Sequence, residues 1–268
     1  MIPGFGAAEA SPFSPHDSNV SLRLSPETES IRPIPIFQEP TRRTASISEK
    51  GVPRPRSEKL DRVVNIALAS IGLVLAAPIM LVFAVLVRLT SPGPIFYTQA
   101  RVGLDRRRAT QPQSVYDRRR RDVGGRPFMI LKFRTMCIGA EKDGAVWAAR
   151  KDTRVTAVGR IMRKYRIDEL PQLVNVIRGD MNIVGPRPER PSIFSRLCDD
   201  IADYPLRQQA RPGITGWAQV NQAYDTSVED VRIKVRYDLE YLERQGVAED
   251  LLIMARTVPV MIFRRGGW

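Results

Sequence analysis

The chain has 268 residues, with 42 Lys and Arg against 29 Asp and Glu, a formal net charge of +13, two cysteines and one histidine. That length suits one domain of ordinary size with appendages, and the charge calls for anionic partners: nucleic acid, a phospholipid surface or phosphorylated substrates. His16 is the only histidine, and Cys137 and Cys198 stand far apart in no metal or redox spacing, which argues against histidine acid–base catalysis, histidine-ligated zinc and dithiol chemistry and leaves carboxylates and cations.

Residues 1–56 are rich in Pro and Ser (SPFSPHDSNV, IRPIPIFQEP, GVPRPRSEK) and read as a disordered tail, without the basic and apolar regions of a cleaved signal peptide. Residues 57–90 read as a membrane segment. Val63 to Val87 carries no charge, and as a straight helix it would reach roughly 38 Å, enough to span a bilayer with tilt. Pro78 near its middle predicts a sharp bend after Ala77, giving two short arms. Cations precede the segment (Arg54, Arg56, Lys59, Arg62) and follow it (Arg88, Arg101, Arg106, Arg107, Arg108), so the positive-inside rule prefers both ends in the cytoplasm. A re-entrant hairpin dipping into one leaflet satisfies that preference. A single span and a buried core helix are the alternatives.

A short strand is expected at Ile95 to Gln99, followed by an Arg-rich stretch at about 105–126, which reads as a solvated loop that would touch anionic headgroups beside the membrane. Pro127 to Met136 reads as a strand ending in Lys132, Arg134 and Thr135, two cations and a hydroxyl suited to a phosphate. In the run that follows Thr153, Leu170, Leu173, Val174 and Ile177 recur at helical spacing before Gly179, predicting a helix from about Glu169 to Arg178 with Asp168 as its N-cap and Pro171 in its first turn. Asp168 and Glu169 then stand at the positive end of a helix dipole with Arg163, Lys164 and Arg166 just upstream. Such a place keeps an aspartate ionised, and an ionised aspartate can act as a nucleophile. An ordinary helix start has the same look, so the pair alone does not decide.

Ala210 to Gln222 reads as a loop around Arg211 and Trp217, the indole being either core or a stacking surface for a base. Ser227 and Asp230 predict a capping box, with Val228, Val231, Val235, Leu239 and Leu242 as one face of the helix that follows, ending at Gly246. Leu251 to Phe263 is apolar, interrupted by Pro259, and too short to span; it would lie in the interface or pack on the core.

The apolar segment, QARVG, KFRTM, DELPQLVNVIRGDM, VGPRPERP and RPGITGWAQVN, in that order from about Lys59 onward, resemble the monotopic phosphoglycosyl transferases, the bacterial sugar transferase family. The resemblance implies an α/β fold, a compact and mostly helical cytoplasmic domain with short strands (91–268) anchored by a proline-bent hairpin and interfacial helices at the inner membrane. It implies transfer of a sugar phosphate from a UDP-sugar to undecaprenyl (polyprenyl) phosphate, with UMP released, at the start of an exopolysaccharide or glycoconjugate pathway. Asp168 would attack the β-phosphate and form an aspartyl-phosphosugar, with Glu169 in support and Mg2+ held near Asp168. Arg163 matches a phosphate-contacting arginine of the family, and Lys132, Arg134, Arg187 and Arg211 are the further candidates for phosphate or nucleotide contacts. The expected partners are the UDP-sugar, the polyprenyl phosphate and membrane phospholipids, with no nucleic acid; the donor sugar and a homo-oligomer stay open. The sequence departs from the family in having Ala77-Pro78 where a Ser-Pro pair often breaks the hairpin, in the Arg-rich insertion, and in a Pro/Ser-rich tail where larger members carry further membrane helices. The alternative of another class is a membrane-tethered scaffold whose basic surface grips lipid or nucleic acid.

Overall fold

A computed structural model describes residues 56–106, 125–140, 152–222 and 227–262. The expected tail, most of the Arg-rich insertion and the chain beyond Ile262 lie outside the described residues. The observed elements are mostly helical with a few short strands, as expected.

Helix α1 runs from Glu58 to Thr90. Ser57 caps it by accepting from the Leu60 N–H, Glu58 and Asp61 complement the dipole at its start, and Arg88 does so at its end. The segment Ser91-Pro92-Gly93-Pro94, with Gly93 at φ 106, stops it. The sequence predicts a sharp bend after Ala77; helical structure continues through Ala77 and Pro78 without a break. The reason lies in what α1 rests on. Asp61, Asn65 and Ala69 are buried before the proline, Gly72 lies against Leu173, and Met80, Phe83, Ala84 and Val87 pack on the domain after it. One stripe with a spacing of three to four residues thus serves both halves, and its packing offsets the roughly 3 kcal/mol that an interior proline costs. The opposite face is apolar and bare, with Val74 73% and Leu75 75% exposed. By length and composition α1 is able to cross a membrane.

Strand β1 (Phe96–Val102) pairs antiparallel with β2 (Pro127–Phe133) in the register Phe96 to Phe133 and Val102 to Pro127, so the insertion occupies the connection between them. Both differ from the expected bounds: β1 reaches further, and Arg134 and Thr135 fall just beyond β2. Helix α2 (Ala157–Lys164) is capped by Thr156, whose Oγ1 accepts from Gly159 N–H at 2.9 Å. Gly159 lets α2 sit against the Thr135 backbone, because a Cβ there would collide with it. A short 3-10 turn (Ile167–Glu169) and helix α3 (Gln172–Arg178) follow; Gly179, at φ 91, ends α3 and turns the chain into β3 (Asn182–Val184).

Strand β3 pairs in parallel with β4 (Gly213–Thr215), connected through α4 (Pro191–Asp200) and a 3-10 segment at Tyr204–Gln209. Helices α5 (Trp217–Asn221), α6 (Val228–Arg244) and α7 (Val247–Ile262) complete the described chain. The capping box is present, Ser227 and Asp230 exchanging bonds of 2.9 and 3.1 Å. Of the expected α6 stripe, Val231, Val235, Leu239 and Leu242 are buried and Val228 is exposed. Tyr237, Tyr241, Leu242 and Ile253 pack around Val184 and Trp217, while Val231, Val235 and Leu239 join Val102, Phe194 and Tyr204. Helix α7 runs through Pro259, where an interruption was expected; Ile253 is buried and Leu251, Leu252 and Val258 are exposed.

Candidate active site

The carboxylate pair does not sit where a simple helix start would put it. Pro171 has no N–H to offer the Ile167 carbonyl, so Leu170 N–H takes that carbonyl instead, at 3.2 Å, and the chain tightens into the 3-10 turn. Helix α3 then begins at Gln172 with Pro171 as its N-cap. Asp168 is therefore in the turn before α3 and is not its cap, and the dipole of a seven-residue helix is a minor influence on it. Arg166 enters the turn at φ 55, in the left-handed region, which costs a non-glycine residue about 1 kcal/mol and recurs at functional sites.

The two carboxylates are both buried, Asp168 at 8% and Glu169 at 6% exposure, yet their surroundings differ. Glu169 is encircled. Its Oε1 receives Lys132 Nζ at 3.0 Å and Arg187 Nη2 at 2.5 Å, and its Oε2 faces Arg187 Nη1 at 3.4 Å and Arg166 Nη1 at 3.5 Å. Burial pushes its carboxyl up, but Arg187, Lys132 and Arg166 together hold it well below the usual carboxylate range. Asp168 makes no hydrogen bond or ion pair among the described residues. Burial and then the neighbouring Glu169 charge raise its pKa above the ordinary value, against the pull of Lys132, Arg163 and Arg187. The sequence expects the helix dipole to favour the ionised aspartate; in the structure burial and the Glu169 charge act against ionisation, and Lys132, Arg163 and Arg187 act for it. Burial depresses the Lys132 ammonium, Glu169 supports it, and the Arg187 charge lowers it again.

Each cation has a traceable origin. Lys132 comes from the inner face of β2, Arg187 from the loop after β3, and Arg163 from α2, where its Nε donates to Thr135 Oγ1 at 2.9 Å. Arg134 and Arg211 are not brought to the pair. Arg134 donates to the carbonyls of Ser91 (2.8 Å) and Pro92, clamping the exit of α1, and Arg211 lies among Glu58, Asp61, Arg62 and Arg106 at the other end of that helix. Ala77 and Pro78 are exposed on the outer side of α1. Trp217 is core: it is buried in the cluster around Val184 and Tyr241, its indole donates to Glu240 Oε2 at 3.0 Å, and the guanidinium carbons of Arg244 and Arg256 lie 4.6 and 4.9 Å from its ring.

Arg166, expected just upstream of the pair, meets Glu169 from within the turn, whereas Arg101, read from the sequence only as a flanking cation of the membrane segment, contributes to the field at both Lys132 and Glu169. The register makes Arg101 legible: it pairs with Phe128, and alternation along both strands puts it on the same sheet face as Ile130 and Lys132.

Magnesium is held by one or two carboxylates together with substrate phosphates and waters. Asp168, buried and without a partner, fits such a role; Glu169, occupied by three cations, fits it poorly. Among the described residues no cluster of three or more His, Cys, Asp and Glu side chains forms an all-protein metal site.

Fold and site define the class: a mostly helical domain with short strands, fronted by one long apolar helix, that keeps an unpaired buried carboxylate in a cationic surround. The chain belongs to the bacterial sugar transferase family, whose family model it matches over residues 56–264. It is 36% identical over 242 residues to the UDP-glucose:undecaprenyl-phosphate glucose-1-phosphate transferase of Caulobacter vibrioides, covering 89% of this chain and 84% of that protein. It is 39% identical over 211 residues to the UDP-N-acetylgalactosamine-undecaprenyl-phosphate N-acetylgalactosaminephosphotransferase of Aeromonas hydrophila, covering 79% of this chain and 45% of that protein. The exopolysaccharide production protein ExoY of Rhizobium meliloti is 33% identical over 238 residues, 82% of this chain and 93% of its own length. The chain thus spans less than half of the Aeromonas relative and most of the other two.

Proposed function

We propose that this chain transfers a sugar 1-phosphate from a UDP-sugar to a polyprenyl phosphate, undecaprenyl phosphate in the relatives' names, and releases UMP. The observation that carries the reading is the asymmetry of the pair: Glu169 is neutralised by three cations while Asp168 keeps its carboxylate unpaired beside them. A structural ion-pair cluster would pair both.

In the first step an Asp168 carboxylate oxygen bonds to the β-phosphorus of the UDP-sugar. The bond from that phosphorus to the bridging oxygen breaks, and UMP leaves with the electron pair. An aspartyl-phosphosugar remains. In the second step a phosphate oxygen of the polyprenyl phosphate attacks the same phosphorus, the bond to Asp168 breaks, and the carboxylate is regenerated as the lipid diphosphosugar departs. Lys132, Arg163 and Arg187 stabilise the charge that gathers on the phosphoryl oxygens, the main task of a protein in phosphoryl transfer. Mg2+, held by Asp168 with the substrate phosphates, would neutralise the diphosphate and favour the ionised aspartate.

The proposed setting is the cytoplasmic face of the inner membrane, with α1 monotopic. Both ends of α1 pack on the same domain through one stripe, and a helix with its ends on opposite sides of about 30 Å of hydrocarbon leaves a water-soluble domain to touch only one of them. Leu251, Leu252 and Val258 of α7 would add an interfacial contact. In a background with Cys137 and Cys198 replaced by Ser, cysteines introduced at Ser57 and Ser91 should be labelled from the same side of the membrane; labelling from opposite sides would establish a span.

The activity is tested by UMP release from a panel of UDP-sugars with polyprenyl phosphate and Mg2+, beside Asp168→Asn. Lipid-dependent turnover that vanishes in the variant is the expected result. Retained turnover would move the nucleophile elsewhere, and silence from folded protein across the panel would favour a non-catalytic membrane scaffold.

A further inference from the structure

The segment Pro186-Arg187-Pro188-Glu189 is suspended by its carbonyls. Gly213 N–H donates to Pro186 O at 3.0 Å, Arg207 Nη2 to Arg187 O at 3.0 Å, Arg101 Nη1 to Pro188 O at 3.0 Å and Val102 N–H to Glu189 O at 2.9 Å. Four consecutive carbonyls therefore have four donors drawn from β4, the 3-10 segment and β1. The two prolines fix φ and offer no N–H, so the segment has few other means of being held. Arg187, between them, carries the guanidinium that grips Glu169.

Among these donors Arg207 is the unusual one. It is fully buried, and its Nε and Nη2 engage Asp238 Oδ2 at 2.9 and 2.7 Å while Nη1 donates to the Tyr204 hydroxyl at 2.8 Å. The Tyr204 ring lies 5.0 Å from its guanidinium carbon. A buried arginine–carboxylate pair is expensive to desolvate and is weak evidence for stability by itself. What this pair achieves is a rigid donor aimed at the backbone of one residue of the site.

We infer that Arg207, held by Asp238 and Tyr204, is a positioning residue for Arg187: it fixes the backbone from which Arg187 reaches Glu169 and the transferred phosphoryl group, and it touches neither substrate. The catalytic part of this inference rests on the transferase reading; the suspension of the segment does not. Misplacement of a catalytic group by about 1 Å costs up to roughly 100-fold in rate, which sets the size of the effect.

The test is a double-mutant cycle of Arg207→Lys and Arg187→Ala, read as kcat/KM for UMP release, together with hydrogen exchange of the peptide spanning 185–190. Arg207→Lys keeps a charge for Asp238 and loses the fork that reaches the Arg187 carbonyl. The expected results are a loss on the order of 10- to 100-fold in Arg207→Lys alone, no further loss when it is added to Arg187→Ala, and faster exchange of the 185–190 peptide. Losses that multiply in the double variant, as a merely structural role predicts, would overturn the inference, and so would unchanged exchange. If Arg207→Lys does not fold, Tyr204→Phe, which removes only one of the bonds that hold Arg207, enters the same cycle under the same criteria. Absence of UMP release from the parent protein would count against the transferase reading alone, and the exchange measurement would still judge the suspension.

Discussion

Two buried charge clusters lie at different places along the domain and differ in which sign is in excess. At the start of α1, Arg56 pairs with Asp61 and, at 2.5 Å, with Asp250, while the Tyr241 hydroxyl accepts from Arg56 at 3.2 Å and donates to Asp250 at 2.8 Å. One cation serves two carboxylates, and a neutral hydroxyl fills the remaining place. At the candidate active site Lys132, Arg166 and Arg187 converge on Glu169, with Arg163 near, and Asp168 is left over. The first cluster is complete and ties α1 to α7. Among the described residues the second gathers more cations than carboxylates and leaves the Asp168 side chain without a hydrogen bond or ion pair, the arrangement expected where a phosphorylated substrate binds.

The largest expected effect breaks this comparison at Asp168. Asp168→Asn should lower turnover on the order of 10,000-fold or more, the scale seen when a nucleophile is removed. It should also raise the Tm at neutral pH. Because the folded pKa of Asp168 is raised, its own contribution to stability declines as pH rises from the ordinary carboxylate range up to that raised value and stays low above it; asparagine carries no such penalty. An Asp168→Asn protein that is less stable than wild type would mean that the carboxylate has a structural partner.

At the α1 cluster the opposite holds, and the effect is next in size. Arg56→Met leaves Asp61 and Asp250 buried without their cation and should cost about 3–5 kcal/mol in unfolding free energy. Retention of wild-type stability would show that the cluster is screened by solvent. The same cluster gives a smaller pH effect. Burial raises Asp250, with Asp61 adding to it, and Arg56 and Tyr241 only partly counter the rise. Wild-type stability relative to Asp250→Asn should therefore fall as pH increases from the ordinary carboxylate range through the raised pKa; a difference that grows with pH would reverse the assignment.

The sequence made local features and charge density legible, and contacts set by register or by chain reversal much less so. The capping box at Ser227 and Asp230 spans three residues and appears as expected, as does the buried stripe of α6 apart from Val228. Asp168, Glu169, Lys132, Arg163 and Arg187 could be gathered because cations crowd their motifs, and they do come together. Arg134 and Arg211 sit in equally suggestive motifs yet face α1, since the turn beyond β2 redirects the first and the loop before β4 carries the second to the helix's other end. The 3-10 turn was hidden because the missing N–H of Pro171 acts on a carbonyl four residues away. Along α1 the length was plain, but the stripe that meets the domain is written in Asn65, Ala69 and Gly72, small residues that hydropathy alone does not separate from their neighbours. Arg207 and Asp238 are a pair joined only by tertiary structure.

Arg166 offers the finest cut, because it combines backbone strain with a charge at the same site. Its φ of 55 is a conformation that glycine adopts without penalty, and its guanidinium faces Glu169 at 3.5 Å. Arg166→Ala keeps the strained backbone and deletes the cation; Arg166→Gly removes both. Glycine also has the larger unfolded-state entropy, which subtracts from the relief. The net expectation is that the glycine variant exceeds the alanine variant in stability by up to about 1 kcal/mol, with equal and modest losses of turnover in the two. Equal loss follows because Lys132 and Arg187 still neutralise Glu169 in both. If glycine instead restored turnover relative to alanine, the backbone turn that presents Asp168, and not the third cation on Glu169, would be the feature that matters at Arg166.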